Sequence, residues 1–242
     1  MNLKKRMKMM TDLNVMRHIT KNITNEGVTD YLTGFYRPLT EELGNLRREC
    51  DKSAVPIILP ETEGFLGTFL DLIRPERVLE IGTSTGYSAM FFAQKMLDQG
   101  VEDPKVYTIE KDEETYKIAE RNFSDMHYEK YIHGLLGDGE EVIKALSDDG
   151  SKTFDLVFID AAKSHYMRFL EASLTLLKPD GVIICDDTLF EGRPALDPEE
   201  PPRKHRTNVK ALREFNESVA KDPRFSSVLT SIGNGLTIIK LL

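Results

Sequence analysis

From Val78 onward the chain alternates short apolar runs with amphipathic stretches, and that alternation sets the expected fold. Residues 78–81 read as a strand and 88–96 as a helix, followed by a strand at 106–109 and a helix at 113–123. The unit recurs as strand 131–136 with helix 140–146, strand 154–159 with helix 165–177, and a fifth strand at 182–185. Strands separated by single helices imply right-handed crossovers. The expected class is α/β, with a doubly wound, mainly parallel sheet.

The flanks follow other patterns. Leu39, Leu43 and Leu46 repeat at helical spacing. After Pro60, Glu61 and Glu63 open a helix whose apolar face is Phe65, Leu66, Phe69, Leu70 and Ile73, with Pro75 ending it. Acids in the first turn suit the positive end of the helix dipole. Residues 1–38 read as an N-terminal arm or helix and 39–242 as the main domain. Towards the end, 191–207 is a loop rich in proline and charge, 209–219 a helix, and 227–232 and 236–241 two strands. Asn234-Gly235 between them looks like a tight hairpin turn, which adds an antiparallel element to the sheet's edge.

Composition narrows the class. Among 242 residues, 32 Lys and Arg face 40 Asp and Glu, a formal net charge of -8 that argues against nucleic acid as a partner. No apolar run reaches the roughly 18 residues of a membrane span. Two cysteines, Cys50 and Cys185, give no disulfide framework and fit a reducing compartment. No sustained apolar stretch follows Lys4, Lys5, Arg6 and Lys8, so a cytoplasmic protein is expected rather than a secreted one.

The strand ends carry the candidate chemistry. The first strand runs into Gly82-Thr-Ser84-Thr-Gly86, a glycine turn of the kind that lets a nucleotide-like ligand approach the backbone. A dinucleotide fingerprint would place glycine where Ser84 stands, which disfavours an NAD-linked oxidoreductase. Glu110, ending the second strand, is placed to accept both hydroxyls of an adenosine ribose. Asp138 either reaches an adenine amino group or caps the next helix. Asp160 ends the fourth strand and Asp186-Asp187 the fifth, so three carboxylates share the edge with Gly82. Like charges so close need a cation, and all-oxygen ligation suits Mg²⁺, Mn²⁺ or Ca²⁺ better than zinc. Otherwise Asp160 is a helix cap and Asp186-Asp187 a solvated turn. His165 reads as a rim residue, and neither cysteine has the surroundings of a nucleophile.

These motifs together resemble the cation-dependent O-methyltransferases: the caffeoyl-CoA type of plants, their bacterial relatives and, more distantly, catechol O-methyltransferase. The resemblance is carried by Glu63-Gly64, E-I-G-T-S-T-G-Y-S, I-E-K, F-I-D-A-A-K, C-D-D-T-L-F-E-G and the terminal I-G-N-G-L-T-I-I-K. It implies a Rossmann-like methyltransferase domain with a seven-stranded sheet and a reversed last strand, S-adenosylmethionine as donor, a catechol-like small-molecule acceptor and a homodimer. Carried over, it makes Glu63, Gly82, Ser84, Ser88, Glu110, Asp138 and Asp160 cofactor contacts. Asp160, Asp186 and Asp187 become metal ligands, and Lys163 corresponds to the lysine proposed as base in the catechol enzymes. Two positions depart from the pattern: Asp187 stands where Asn is common, and Ala162 where plant members carry a second acid. A cofactor- or metal-binding regulator without turnover is the non-enzyme alternative, separable by incubation with labelled donor, Mg²⁺ and a panel of catechols.

Overall fold

The computed structural model describes residues 26–150, 153–196 and 201–242. Most of the expected arm, residues 1–25, and residues 197–200 of the expected loop lie outside them. The strands are β1 (Arg77–Ile81), β2 (Lys105–Glu110), β3 (Ile132–Leu136), β4 (Phe154–Ile159), β5 (Leu177–Cys185), β6 (Phe225–Thr230) and β7 (Leu236–Leu241). They form one seven-stranded sheet in the order β3-β2-β1-β4-β5-β7-β6. The first five strands are parallel, and β7 runs antiparallel to both β5 and β6. The expected doubly wound sheet with a reversed last strand is therefore present, with that strand inserted inside the edge.

Side chains alternate across a strand, so each strand feeds two cores. Val78, Val106, Leu156, Phe158 and Ile184 face one layer, which contains α2 (Glu41–Ser53), α3 (Pro60–Ile73), α4 (Tyr87–Asp98) and α5 (Glu113–Asp125). Leu79, Ile81, Ile109, Val157, Ile159 and Ile183 face the other, made by α6 (Gly139–Asp149), α7 (Tyr166–Ser173) and α8 (Arg206–Lys221). A short helix, α1 (Glu26–Thr33), precedes both layers and lies against α3.

Most boundaries shift by a few residues at most, and two of the differences have a clear cause. Leu174, Leu176 and Leu177 continue a helical spacing, yet α7 closes at Ser173 through tight turns from Thr175 N to Ala172 O and Leu176 N to Ser173 O. Leu176 enters the core, Phe154 N donates to its carbonyl, and Leu177 already pairs with Phe154 as the start of a longer β5. Strand β6 ends at Thr230 because Ile232 leaves the sheet to join the first core layer. The hairpin connection thus spans 231–235, longer than a two-residue turn.

One strand position breaks the apolar pattern. Glu80 shares the face of Val78 and is fully buried. Its carboxyl accepts from the Ser88 and Thr108 hydroxyls, and Thr108 in turn meets Thr83. Burial, reinforced by the charges of Asp160 and Glu110, pushes its pKa up to about 8 despite those hydrogen bonds. The folded state therefore holds a proton that the unfolded chain releases above about pH 4.5. Its contribution to stability falls as pH rises between those two values, by at most about 1.4 kcal/mol per pH unit. Glu80→Gln keeps the shape and removes the titration. Urea unfolding at pH 5.5 and 7.5 should show the wild type losing up to about 2 kcal/mol more than the variant; parallel pH dependence in the two proteins would refute this.

Candidate active site

The site begins where the parallel ladder runs one rung past the strands. Gly82 N donates to Ile109 O at 3.0 Å, Asp160 N to Ile81 O at 3.0 Å, Asp186 N to Ile159 O at 2.9 Å, and Gly137 N to Glu110 O at 2.8 Å. These rungs align the carboxyl ends of β1 to β5. The strand order reverses between β1 and β4, the place where open α/β sheets take ligands.

Gly82 has no alternative at its position. Its φ is +106°, and a Cβ there would lie 2.0 Å from the Asp160 carbonyl oxygen. The turn continues through Ser84 at φ +50° and Gly86 at φ +81°, closed by Gly86 N donating to Thr83 O at 2.8 Å. A crevice of about 290 Å³ opens above it, lined by Gly82, Ser84, Glu110, Asp138, Asp160 and His165 among others. Glu110 ties the crevice together. Its Oε1 accepts from Lys111 N and Asp112 N at 2.8 and 2.9 Å, and its Oε2 from Ser84 N at 3.1 Å. Asp138 caps α6 by accepting from Glu140 N at 3.0 Å, as the capping alternative expects, and it also lines the crevice. His165 stands at the rim, with Nδ1 3.6 Å from Glu140.

A second cavity of about 310 Å³ meets the first across Ser84, Asp160 and Ala161. Its far side carries Lys163, Asp186, Asp187 and Glu191. Lys163 Nζ lies 3.2 Å from Asp160 Oδ1, 2.9 Å from Asp187 Oδ2 and 3.1 Å from Tyr166 Oη. Burial alone would lower the lysine's pKa, but Tyr166, Asp160 and Asp187 outweigh it and hold the pKa well above its ordinary value. Burial and repulsion from Asp160 raise Asp186 well above the carboxylate range, although its Oδ1 accepts from Asp187 N at 2.6 Å. Burial likewise lifts Asp187 to about 6 against the pull of Lys163. Asp187 also adopts φ +56° and keeps a buried Oδ1 without a partner.

Three acids around one ammonium leave negative charge unbalanced, and the orphaned Asp187 oxygen adds an unsatisfied acceptor. An all-oxygen donor set of this kind fits a hard divalent cation. As the side chains stand, no three His, Cys, Asp or Glu among the described residues gather closely enough to hold an ion, and Lys163 occupies the space between Asp160 and Asp187.

The structure thus brings together Gly82, Ser84, Glu110, Asp138 and Asp160 in one cavity and Asp160, Lys163, Asp186 and Asp187 in the next. Two expected cofactor contacts line neither. Glu63 is buried in an ion pair with Arg47, with Tyr36 and Tyr87 donating to the same carboxylate. It borders a separate cavity of about 600 Å³ on the outer side of α3. Arg47 from α2 draws this first-turn acid inward. Ser88 points beneath the turn to Glu80. Sequence reasoning missed Glu80 and Tyr166. An acid flanked by apolar residues in a buried strand was the readable signal for Glu80; Tyr166 had none beyond its spacing from Lys163.

Comparison with known proteins places the chain. The family model described as O-methyltransferase matches residues 36–242. A caffeoyl-CoA O-methyltransferase from Populus kitakamiensis is 32% identical over 218 residues, covering 88% of this chain and 91% of that protein. A solved structure of a candidate caffeoyl-CoA O-methyltransferase from Staphylococcus aureus has a TM-score of 0.80 at 29% identity, covering 88% of this chain and 98% of that one. The SAH-bound O-methyltransferase from Bacillus cereus shares the fold, with a TM-score of 0.75 at 24% identity and coverage of 94% and 100%.

Gly82 is the most exacting position of the site. Gly82→Ala forces a side chain into positive φ and against the Asp160 backbone, and should cost more than about 2 kcal/mol of stability. Urea denaturation checks this; an unchanged midpoint would mean that the close approach does not exist.

Proposed function

The chain belongs to the O-methyltransferase family, and from that premise we propose that it moves a methyl group from S-adenosylmethionine to one hydroxyl of a vicinal dihydroxy, catechol-like small molecule. A divalent cation, magnesium first, would be held by Asp160, Asp186 and Asp187. The observation that supports this most is the junction of two cavities at Asp160: one carries a ribose-type acceptor in Glu110, the other an acid cluster and a lysine. Donor and acceptor would then meet across a single residue, and positioning of this kind accounts for much of catalysis.

The charges follow a consistent order. The donor's sulfonium is positive and becomes neutral as the S–CH₃ bond breaks, so an acceptor oxygen carrying negative charge is drawn into line. A cation at the three acids would supply Lewis acidity to the acceptor's oxygens. It would also take over the carboxylate charge that now holds Lys163 as an ammonium, which lowers the lysine's pKa. Lys163 is then placed to receive the acceptor's proton. Glu110, already oriented by three backbone N–H groups, would accept the ribose hydroxyls.

A homodimer is part of this reading. Tyr31 (69% exposed) on α1, Phe35 (65%) just after it and Leu72 (77%) on α3 leave apolar surface. Among the described residues no helix is long and apolar enough to cross a membrane, and a cytoplasmic location fits the two buried, unpaired cysteines.

Four experiments test the proposal. Turnover of a catechol should need divalent metal and stop in excess chelator. Asp186→Asn should lose that turnover while folding about as stably as the wild type, since the amide oxygen can still accept from Asp187 N and a neutral side chain suits the buried position; full activity with chelator present would sink the acid-site reading. Glu110→Ala removes charged hydrogen bonds worth roughly 1.5–3 kcal/mol, so calorimetry should find S-adenosylmethionine bound about ten- to a hundredfold more weakly. An unchanged affinity would take Glu110 out of the site. Lys163→Met should cut the catalytic step about a hundredfold or more, with partial recovery at higher pH where the acceptor ionises unaided; normal turnover at neutral pH would return Lys163 to a purely electrostatic role.

A further inference from the structure

Arg47 on α2 is buried, and its contacts go beyond neutralising Glu63. The guanidinium lies over the rings of Tyr36 and Tyr87, at 5.0 and 4.7 Å from their centroids. Its Nε donates to Tyr36 Oη at 2.9 Å, while Nη2 donates to Glu63 and, at 3.0 Å, to the backbone carbonyl of Ile58. Residues 55–59 lead to α3 without regular structure, and Pro56, Ile57 and Leu59 line the cavity that contains Lys163 and Asp187. At the ends of this segment, Val55 N bonds back to Cys50 O, and Leu59 O accepts from Glu63 N. Between those ends, the one hydrogen bond to a described residue comes from Arg47. Ile58 is buried in the first core layer, and its two neighbours face the cavity. A lysine ammonium could balance Glu63, but reaching Ile58 O as well takes the planar fork of an arginine. The donor-side turn does not share this dependence: its own backbone bonds and Asn122 Nδ2, which donates to Thr85 O at 2.8 Å, hold it.

We propose that Arg47 is a positioning residue for the acceptor cavity. By fixing the Ile58 peptide it sets where Ile57 and Leu59 stand, and these form the apolar wall that takes the acceptor's ring. Arg47 therefore governs acceptor affinity and leaves donor affinity alone. The inference rests on the acceptor site proposed above.

Arg47→Lys in the full-length protein tests it, since lysine keeps the charge beside Glu63 and loses the fork. Calorimetry reads two titrations: S-adenosylmethionine into the free protein, and a catechol into protein saturated with S-adenosylhomocysteine and Mg²⁺. The catechol should bind about three- to tenfold more weakly, the scale of one orienting hydrogen bond, with acceptor KM rising to match and donor affinity unchanged. An unchanged catechol affinity would overturn the proposal. So would equal losses for both ligands, which a general loosening of the fold produces. Should Arg47→Lys fold poorly, Arg47→Met with Glu63→Leu replaces the pair by apolar side chains, a change that buried ion pairs often tolerate. That double variant should show the same separation between the two ligands. Methyl NMR of the ligand-free protein distinguishes failure of the proposal from failure of the catechol reading. In Arg47→Lys the Ile57 δ1 methyl should shift, while those of Ile81 and Ile109, which line the donor crevice, stay in place. A wild type that binds the donor and no catechol counts against the acceptor reading; an unmoved Ile57 methyl removes the role given to Arg47.

Discussion

Everything in the site depends on one continued row of backbone hydrogen bonds. The rungs from Gly82, Asp160 and Asp186 extend the parallel ladder past the last strand residues, so the strand ends cannot splay. Parallel strands point their carboxyl ends the same way, and this row fixes how closely they stand. The cost is steric: the first turn must pass within contact of the fourth strand's end, which only a glycine at residue 82 permits. From that approach follow the shared wall at Asp160 and the meeting of the two cavities.

The same closeness creates a charge problem. Asp160, Asp186 and Asp187 are brought together by backbone geometry, which takes no account of their repulsion. Lys163, three residues beyond Asp160, offsets part of it from within the same turn, but one ammonium does not balance three acids. Burial, with the remaining repulsion added to it, raises the pKa values of Asp186 and Asp187, and one buried Asp187 oxygen has no partner. Such an arrangement costs stability, because like charges are held together out of water.

Much of this could be read before the fold was known, for physical reasons that also explain the failures. Buried parallel strands are apolar runs, so five of them and their crossing helices were plain, and residues ending those runs had to share one edge. Glu110, Asp160 and Asp186 were therefore legible from position alone. Helix ends were less so, because Leu174, Leu176 and Leu177 satisfy helical spacing while two of them serve a turn and a strand. Glu63 shows the deeper limit. Its place in the first turn of a helix names no partner, and only the packing of α2 against α3 and α4 brings Arg47 and Tyr87 to its carboxylate. A long-range ion pair leaves no local signature.

The reversed last strand finds its reason at the acid cluster. Segment 187–191 leaves the sheet in a conformation that backbones resist, with positive φ at Asp187, Phe190 and Glu191. Such a loop needs support from outside itself. Strand β7, slotted between β5 and β6, delivers the 231–235 turn to this spot: Thr188 N donates to Gly235 O at 3.0 Å and Leu189 N to Asn234 O at 2.9 Å. The Thr188 hydroxyl donates to the Gly235 carbonyl, and Asn216 on α8 donates to Thr188 O at 3.0 Å. Gly235 itself has no room for a side chain, since a Cβ would lie 2.6 Å from Leu189 N. A parallel seventh strand would enter from the opposite end of the sheet and place its turn away from the cavities. The antiparallel insertion is thus the topology that lets the end of the chain brace the residues beside Asp186 and Asp187.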